Sequence, residues 1–146
     1  MATINPYLSF DGTCKQAFDF YKSVFGGEFA TLMKFGEVPK EFQPPGQTPA
    51  EGEKLMHVAL PIGKTAMLMG SDRPGAFGPG KKGDMFNVAI AAESKAEAEK
   101  LFNGLSAGGQ VTMPMSDAFW GAYFGMFTDK FGVQWMVNFD PKAPGR

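Results

Sequence analysis

Three side chains could carry chemistry: His57, Cys14 and Asp117. His57 is the only histidine and lies in an apolar stretch between Met56 and Val58. Two readings stand: a structural or surface residue, or a general base or partial metal site with Glu51 or Glu53. Cys14 is the only cysteine and follows Thr13 at a helix start, where the backbone N–H groups and Lys15 favour a thiolate. A reactive thiol and a small helix-start residue are both consistent with that position. Asp117, beside Phe119 and Trp120, could accept a ligand's proton or cap a loop. With one histidine, no Ser/His/Asp or Cys/His set is visible. Gly75 to Lys82 spells Gly-x-x-x-x-Gly-Lys-Lys, near a phosphate loop. It lacks the Ser/Thr that would hold Mg²⁺, and Pro79 removes an N–H, so it reads as a flexible linker.

The elements around these residues form a repeat. Thr13-Cys14-Lys15-Gln16 is a capping box, followed by Ala17, Phe20, Tyr21 and Val24 at helical spacing and stopped by Gly26-Gly27. Ser94-Lys95-Ala96-Glu97 is a second box, followed by Ala98, Leu101, Phe102 and Leu105 and stopped by Gly108-Gly109. Cap and stripe recur at one offset, 81 residues, as from Thr13 to Ser94 and from Val24 to Leu105. Strands are predicted before the helices at Ile4–Phe10 and Met85–Ala91. After the first helix they fall at Phe29–Phe35, Leu55–Ile62 and Thr65–Gly70. After the second they fall at Gln110–Met113, Ala122–Thr128 and Val133–Phe139. Gly63-Lys64 turns one hairpin and Asp129-Lys130-Phe131-Gly132 the other.

The expected fold is α+β, a single domain over 1–146 made of tandem βαβββ modules. Module one covers about 3–72, a linker about 71–84, and module two about 84–140. Gly36–Lys54, with four prolines, reads as a flap, and the tail from Pro141 as frayed. An unrelated α+β fold with two similar helices is the alternative.

Composition narrows the partners. A net charge of −1 gives no basic excess for a phosphate backbone, so nucleic acid is not expected. No apolar run approaches the roughly 18–20 residues of a membrane span, and the N-terminus does not look like a signal peptide. The lone cysteine suits a reducing cytoplasm. The 15 phenylalanines and 10 methionines are many for 146 residues. They either fill the core or partly line an apolar cavity.

The tandem modules resemble the vicinal-oxygen-chelate (glyoxalase/bleomycin resistance protein/dioxygenase) superfamily. Asn5-Pro6-Tyr7-Leu8-Ser9-Phe10, Ala17-Phe18-Asp19-Phe20-Tyr21, Phe119 to Gly125 and Thr128 to Asn138 are similar to its PhnB-like branch. The resemblance runs from Ile4 to Asp140. It implies sheets placed around a cleft, and a homodimer. Some relatives are described as demethylubiquinone methyltransferases, but no strand–Gly-rich loop–helix unit stands here for a nucleotide-like cofactor.

Metal-dependent relatives draw His, Gln and Glu ligands from the first and last strand of each module. Transferred through the repeat, those positions read Pro6, Met67, Asn87 and Met136; a slip of one or two gives Asn5, Met69, Phe86 or Val137. Divalent Zn, Ni, Mn or Fe wants imidazole and carboxylate, so no metal and no cofactor is expected. What remains suits a small apolar or aromatic ligand held by Met67, Met69, Asn87, Trp120, Tyr123 and Met136, with Phe124 and Trp135 nearby. The catalytic candidates are His57 and Asp117. Two alternatives stay open: a metal-dependent lyase, isomerase or dioxygenase using another site, and a structural or partner-binding dimer.

Overall fold

The structure, a computed structural model, describes residues 2–43 and 45–142. Of the tail expected to fray from Pro141, residues 143–146 lie outside the described residues. The chain is α+β and divides into two compact units, one ending at Lys81 and one beginning at Lys82. Each is a βαβββ module. Among the described residues, no helix is long and apolar enough to cross a membrane.

The first unit runs β1 (Tyr7–Phe10), α1 (Cys14–Phe25), β2 (Thr31–Lys34), α2 (Pro49–Gly52), β3 (Leu55–Ile62) and β4 (Ala66–Asp72). Its sheet has the order β1-β4-β3-β2, with β1 parallel to β4 and the other pairs antiparallel. α1 buries Cys14, Ala17, Phe18 and Tyr21, a stripe at i, i+3, i+4 and i+7. Phe18, rather than the expected Phe20, is the central side chain. It meets Phe10 edge-on at 6.3 Å and Tyr21 at 5.4 Å. Burying an aromatic side chain of this size stabilises by about 1.5–3 kcal/mol. Leu8, Phe10, Val58, Leu60 and Leu68 complete this core.

The helix start differs from expectation. Thr13 makes no side-chain cap. Asp72 caps instead: its Oδ1 accepts from the N–H groups of Gly12 at 2.9 Å and Cys14 at 3.0 Å, and its Oδ2 accepts from Leu55 N–H at 2.9 Å. β4 therefore runs on to Asp72, two residues past its expected end. The flap Gly36–Lys54 holds short helical turns at Phe35–Glu37 and Lys40–Phe42 as well as α2, whose N–H at Glu51 is capped by Thr48 Oγ1.

The second unit runs β5 (Val88–Ala91), α3 (Lys95–Ser106), β6 (Gln110–Asp117), β7 (Tyr123–Thr128) and β8 (Gln134–Phe139), with sheet order β5-β8-β7-β6. α3 buries Ala98, Leu101, Phe102 and Leu105, the expected stripe. Ser94 Oγ accepts from Glu97 N–H at 3.0 Å, so this capping box forms. Gly132 N–H donates to Asp129 O at 3.0 Å, closing the expected turn. β6 is twice its expected length and is exposed along most of its course.

The helices keep the offset of 81, Cys14 to Lys95 and Phe25 to Ser106. The first strands do not. In β1 the α1-facing residues are Leu8 and Phe10. The same offset carries them to Ala89 and Ala91, which are exposed; in β5 it is Val88 and Ile90 that turn inward. Because strand side chains alternate, a one-residue slip exchanges the faces. Pro6 and Asn87, expected to correspond, continue opposite faces of their strands.

Candidate functional site

In each unit the helix covers one face of the sheet, and the register identifies the residues on the other. In the first unit Tyr7 stands opposite Met69, and Met69 opposite Ala59, which pairs with Thr31. One step along, Ser9 stands opposite Ser71, while His57 of β3 stands opposite Met33. Met67 pairs with Pro61 on the same face, and its N–H donates to Asn5 Oδ1 at 3.0 Å. The Tyr7 hydroxyl lies 3.2 Å from His57 Nδ1, and the two rings stack with centroids 5.7 Å apart and planes 24° apart. Tyr7 is 48% exposed and His57 half-buried. This face is thus a methionine surface with a phenol, an imidazole and two hydroxyls set in it.

In the second unit, methionines from three strands form a row: Met113 opposite Met126, and Met126 opposite Met136, which pairs with Ala89. The next row is Ser116, Phe124, Asn138 and Ala91. The β6–β7 turn closes with Gly121 N–H donating to Ala118 O at 2.9 Å, and Gly121 takes φ +98°, where a side chain would be strained. The turn carries Trp120 at 57% exposure, its indole 5.9 Å from the Phe124 ring.

The other expected site residues are dispersed. Tyr123 lies on the α3 side, because it shares the face of Gly125 and Phe127. Its hydroxyl donates to Glu99 Oε1 at 2.7 Å, and Lys95 Nζ sits 4.4 Å from its ring centroid. The hydrogen bond to Glu99, then burial, then the charges of Glu99 and Asp117 push the Tyr123 phenol above its ordinary range. Asp117 pairs with Lys95 at 3.7 Å and belongs to the same exposed cluster. Trp135 is fully buried, and its Nε1–H donates to Asp129 Oδ2 at 2.9 Å. Of the four aromatic residues expected together, only Trp120 and Phe124 meet. Asn87 lies just before β5 and is half-buried. Cys14 is buried, and burial, followed by the charge of Asp72, pushes its thiol up to about 12. Tyr7, Met33, Met113 and Met126 escaped sequence reasoning; strict alternation from known strand pairing would have found them.

The metal positions implied by the resemblance can be tested by donor chemistry. Where a first strand pairs with a last strand, the sheet faces opposite the helices carry Tyr7–Met69, Ser9–Ser71, Ala89–Met136 and Ala91–Asn138. None is imidazole or carboxylate, so these residues do not fit a divalent ion. Among the described residues, no three His, Cys, Asp or Glu side chains come together. The carboxylates nearest to His57 in sequence have lysine partners: Glu53 pairs with Lys34 at 2.7 Å and Glu51 with Lys54 at 3.2 Å. The Lys34–Glu53 contact pushes the Lys34 ammonium above its ordinary range, through the hydrogen bond first and charge second. The flap contributes a cavity of about 290 Å³, lined by residues that include Phe35, Pro45, Thr48, Glu51, Pro74 and Ala76. It includes neither the Tyr7–His57 pair nor any methionine.

The family model described as the Glyoxalase/Bleomycin resistance protein/Dioxygenase superfamily matches residues 3–137. Protein YjdN of Escherichia coli (strain K12) is 32% identical over 144 residues, 97% of each chain. The crystal structure of protein PA1353 from Pseudomonas aeruginosa has a TM-score of 0.82 at 41% identity, covering 96% of this chain and 98% of that one. A Bacillus cereus structure described as a putative 3-demethylubiquinone-9 3-methyltransferase, PhnB protein, has a TM-score of 0.74 at 20% identity, over 94% of this chain and 99% of that one. At that identity the likeness concerns the fold.

Proposed function

Because this chain belongs to the glyoxalase/bleomycin resistance protein/dioxygenase superfamily, we propose that it uses that fold to bind a small apolar or aromatic molecule without a metal ion. The observation that carries this reading is the pairing of Tyr7 with Met69 and of Ala89 with Met136. Aromatic, methyl and thioether groups occupy these paired positions, and none of them is the imidazole or carboxylate that a divalent ion wants. Thioethers are polarisable and adapt to flat rings, and they contact aromatic edges favourably by about 0.3–1.5 kcal/mol each. Met67 and Met69 supply such a surface in the first unit; in the second, Met136 supplies one, with Trp120 available for stacking and Asn87 adding an amide. The Phe119, Met85 and Phe86 side chains, each 70% or more exposed, favour a homodimer in which a second copy covers them. The single cysteine, without a disulfide partner, suits a reducing compartment such as the cytoplasm.

The test is titration of metal-free protein with 4-nitroanisole, followed by calorimetry and by tryptophan fluorescence. Saturable binding with quenching that disappears in Trp120→Phe supports the reading. The absence of saturable binding of this and related aromatic compounds overturns it. Light scattering tests the dimer, and a monomer at micromolar concentration removes that part.

A further inference from the structure

The Tyr7–His57 pair is more than a patch on an apolar surface. Its geometry sets which nitrogen of the imidazole faces the phenol, namely Nδ1. The Tyr7 hydroxyl lies 3.2 Å from Nδ1, and in the tautomer where that hydroxyl donates, the ring N–H is on Nε2. Stacking at 24° between the planes keeps the imidazole parallel to the phenol and so limits its rotation. The pair spans two rows of the sheet, since Tyr7 is in register with Met69 whereas His57 is in register with Met33. Ser9 and Ser71, opposite each other on the same face, add two hydroxyls. The strand residues of this face include no acid. Asp72, the only acid in these strands, lies on the α1 side and is occupied by three backbone N–H groups. The polar groups here can donate hydrogen bonds in methionine surroundings, and no acid among the strand residues of this face stands beside them.

We propose that the Tyr7–His57 pair is the polar anchor of the ligand face, and that it selects aromatic rings bearing an acidic hydroxyl, bound as the ring oxyanion. The ring lies on Met33, Met67 and Met69. The oxygen accepts from His57 Nε2–H, and the serine hydroxyls supply further donors. This rests on the proposed binding of small aromatic molecules and adds the functional group that orients them. The pair also explains why the one histidine of the chain is held by a phenol rather than by a carboxylate. A carboxylate would place an acid beside the oxyanion, whereas Tyr7 orients the imidazole through a hydrogen-bond contact and a ring stack.

The experiment compares 4-nitrophenolate with 4-nitroanisole, which has the same ring without an ionisable oxygen. Both are titrated into the full chain and into Tyr7→Phe and His57→Phe variants, with near-ultraviolet circular dichroism confirming the fold. The expected result is that 4-nitrophenolate binds the unaltered chain about tenfold more tightly than 4-nitroanisole, the value of one good hydrogen bond. His57→Phe should remove that preference, and Tyr7→Phe should weaken it, the readout being the ratio of the two affinities in each chain. Equal binding of the two compounds, or a preference that survives His57→Phe, overturns the anchor and leaves the general aromatic site standing. Binding of neither compound overturns both. Should His57→Phe fail to fold, Tyr7→Phe decides, because loss of one exposed hydroxyl leaves the ring stack in place.

Discussion

Asp72 holds the first turn of α1 from the end of a neighbouring strand: its Oδ1 accepts the Cys14 N–H at 3.0 Å. The carboxylate is 2% exposed and accepts from two further N–H groups, those of Gly12 and Leu55. One side chain thus ties together the helix start, the end of β4 and the start of β3.

Removing that carboxylate leaves three backbone donors without their acceptor, at least two of them buried. Asp72→Ala should destabilise the protein by about 3–5 kcal/mol, whereas Thr13→Ala should cost less than about 0.5 kcal/mol because Thr13 caps nothing. Urea denaturation of both variants checks the contrast, and an equal loss at the two positions would sink it.

The Cys14 thiol, pushed by burial from its ordinary 9.0 up to about 12, should stay protonated and unreactive toward Ellman's reagent in the native protein near neutral pH, and react once guanidinium unfolds the chain. The sign of the linked stability follows. Between 9.0 and about 12 the unfolded chain has lost the thiol proton and the folded chain retains it. Stability from this group is therefore whole below 9.0 and declines as the pH rises through that window. Cys14→Ala should flatten the alkaline part of the stability profile.

Gly70 and Gly125 let the helices approach their sheets. A Cβ at Gly70 would stand 2.7 Å from Phe18 Cε1 and 2.8 Å from Leu8 O, and one at Gly125 would stand 2.8 Å from Phe102 Cε2. Alanine at either position should cost about 1–3 kcal/mol through displaced aromatic rings, read as a lower thermal midpoint. An unchanged midpoint would show that the rings move aside freely.

Tyr123, placed beside Glu99 and Lys95, should not contribute to ligand affinity. Tyr123→Phe is expected to leave 4-nitroanisole binding unchanged and to shift stability by less than about 0.5 kcal/mol, since its hydrogen bond is exposed. A clear loss of affinity on titration would return Tyr123 to the binding surface.

Calorimetry with Zn²⁺ or Ni²⁺ should give no binding at micromolar Kd or tighter, since thioether, phenol and methyl groups occupy the paired first and last strands. Micromolar binding would point to His57 as a ligand, and His57→Ala should then abolish it.

The sequence by itself determined the tandem βαβββ architecture, because capping, stripe and stop signals are local and recur. Ala98, Leu101, Phe102 and Leu105 were legible as a core face, and Asp129 to Gly132 as a turn, for that reason. The poverty of metal donors was legible too, since it follows from residue types. Only the tertiary structure decided which face each strand residue takes and who its partner is. A strand has a period of two, so an error of one residue moves Pro6 or Asn87 to the opposite face, and no local signal reports it. Long-range partners were equally hidden: Asp72 displaced Thr13 as the cap across 58 residues, and Tyr7 met His57 across 50. Tyr123 and Trp120 look alike in sequence, but the pleat turns Tyr123 toward α3, and the tight turn at Gly121 leaves Trp120 exposed beside Phe124.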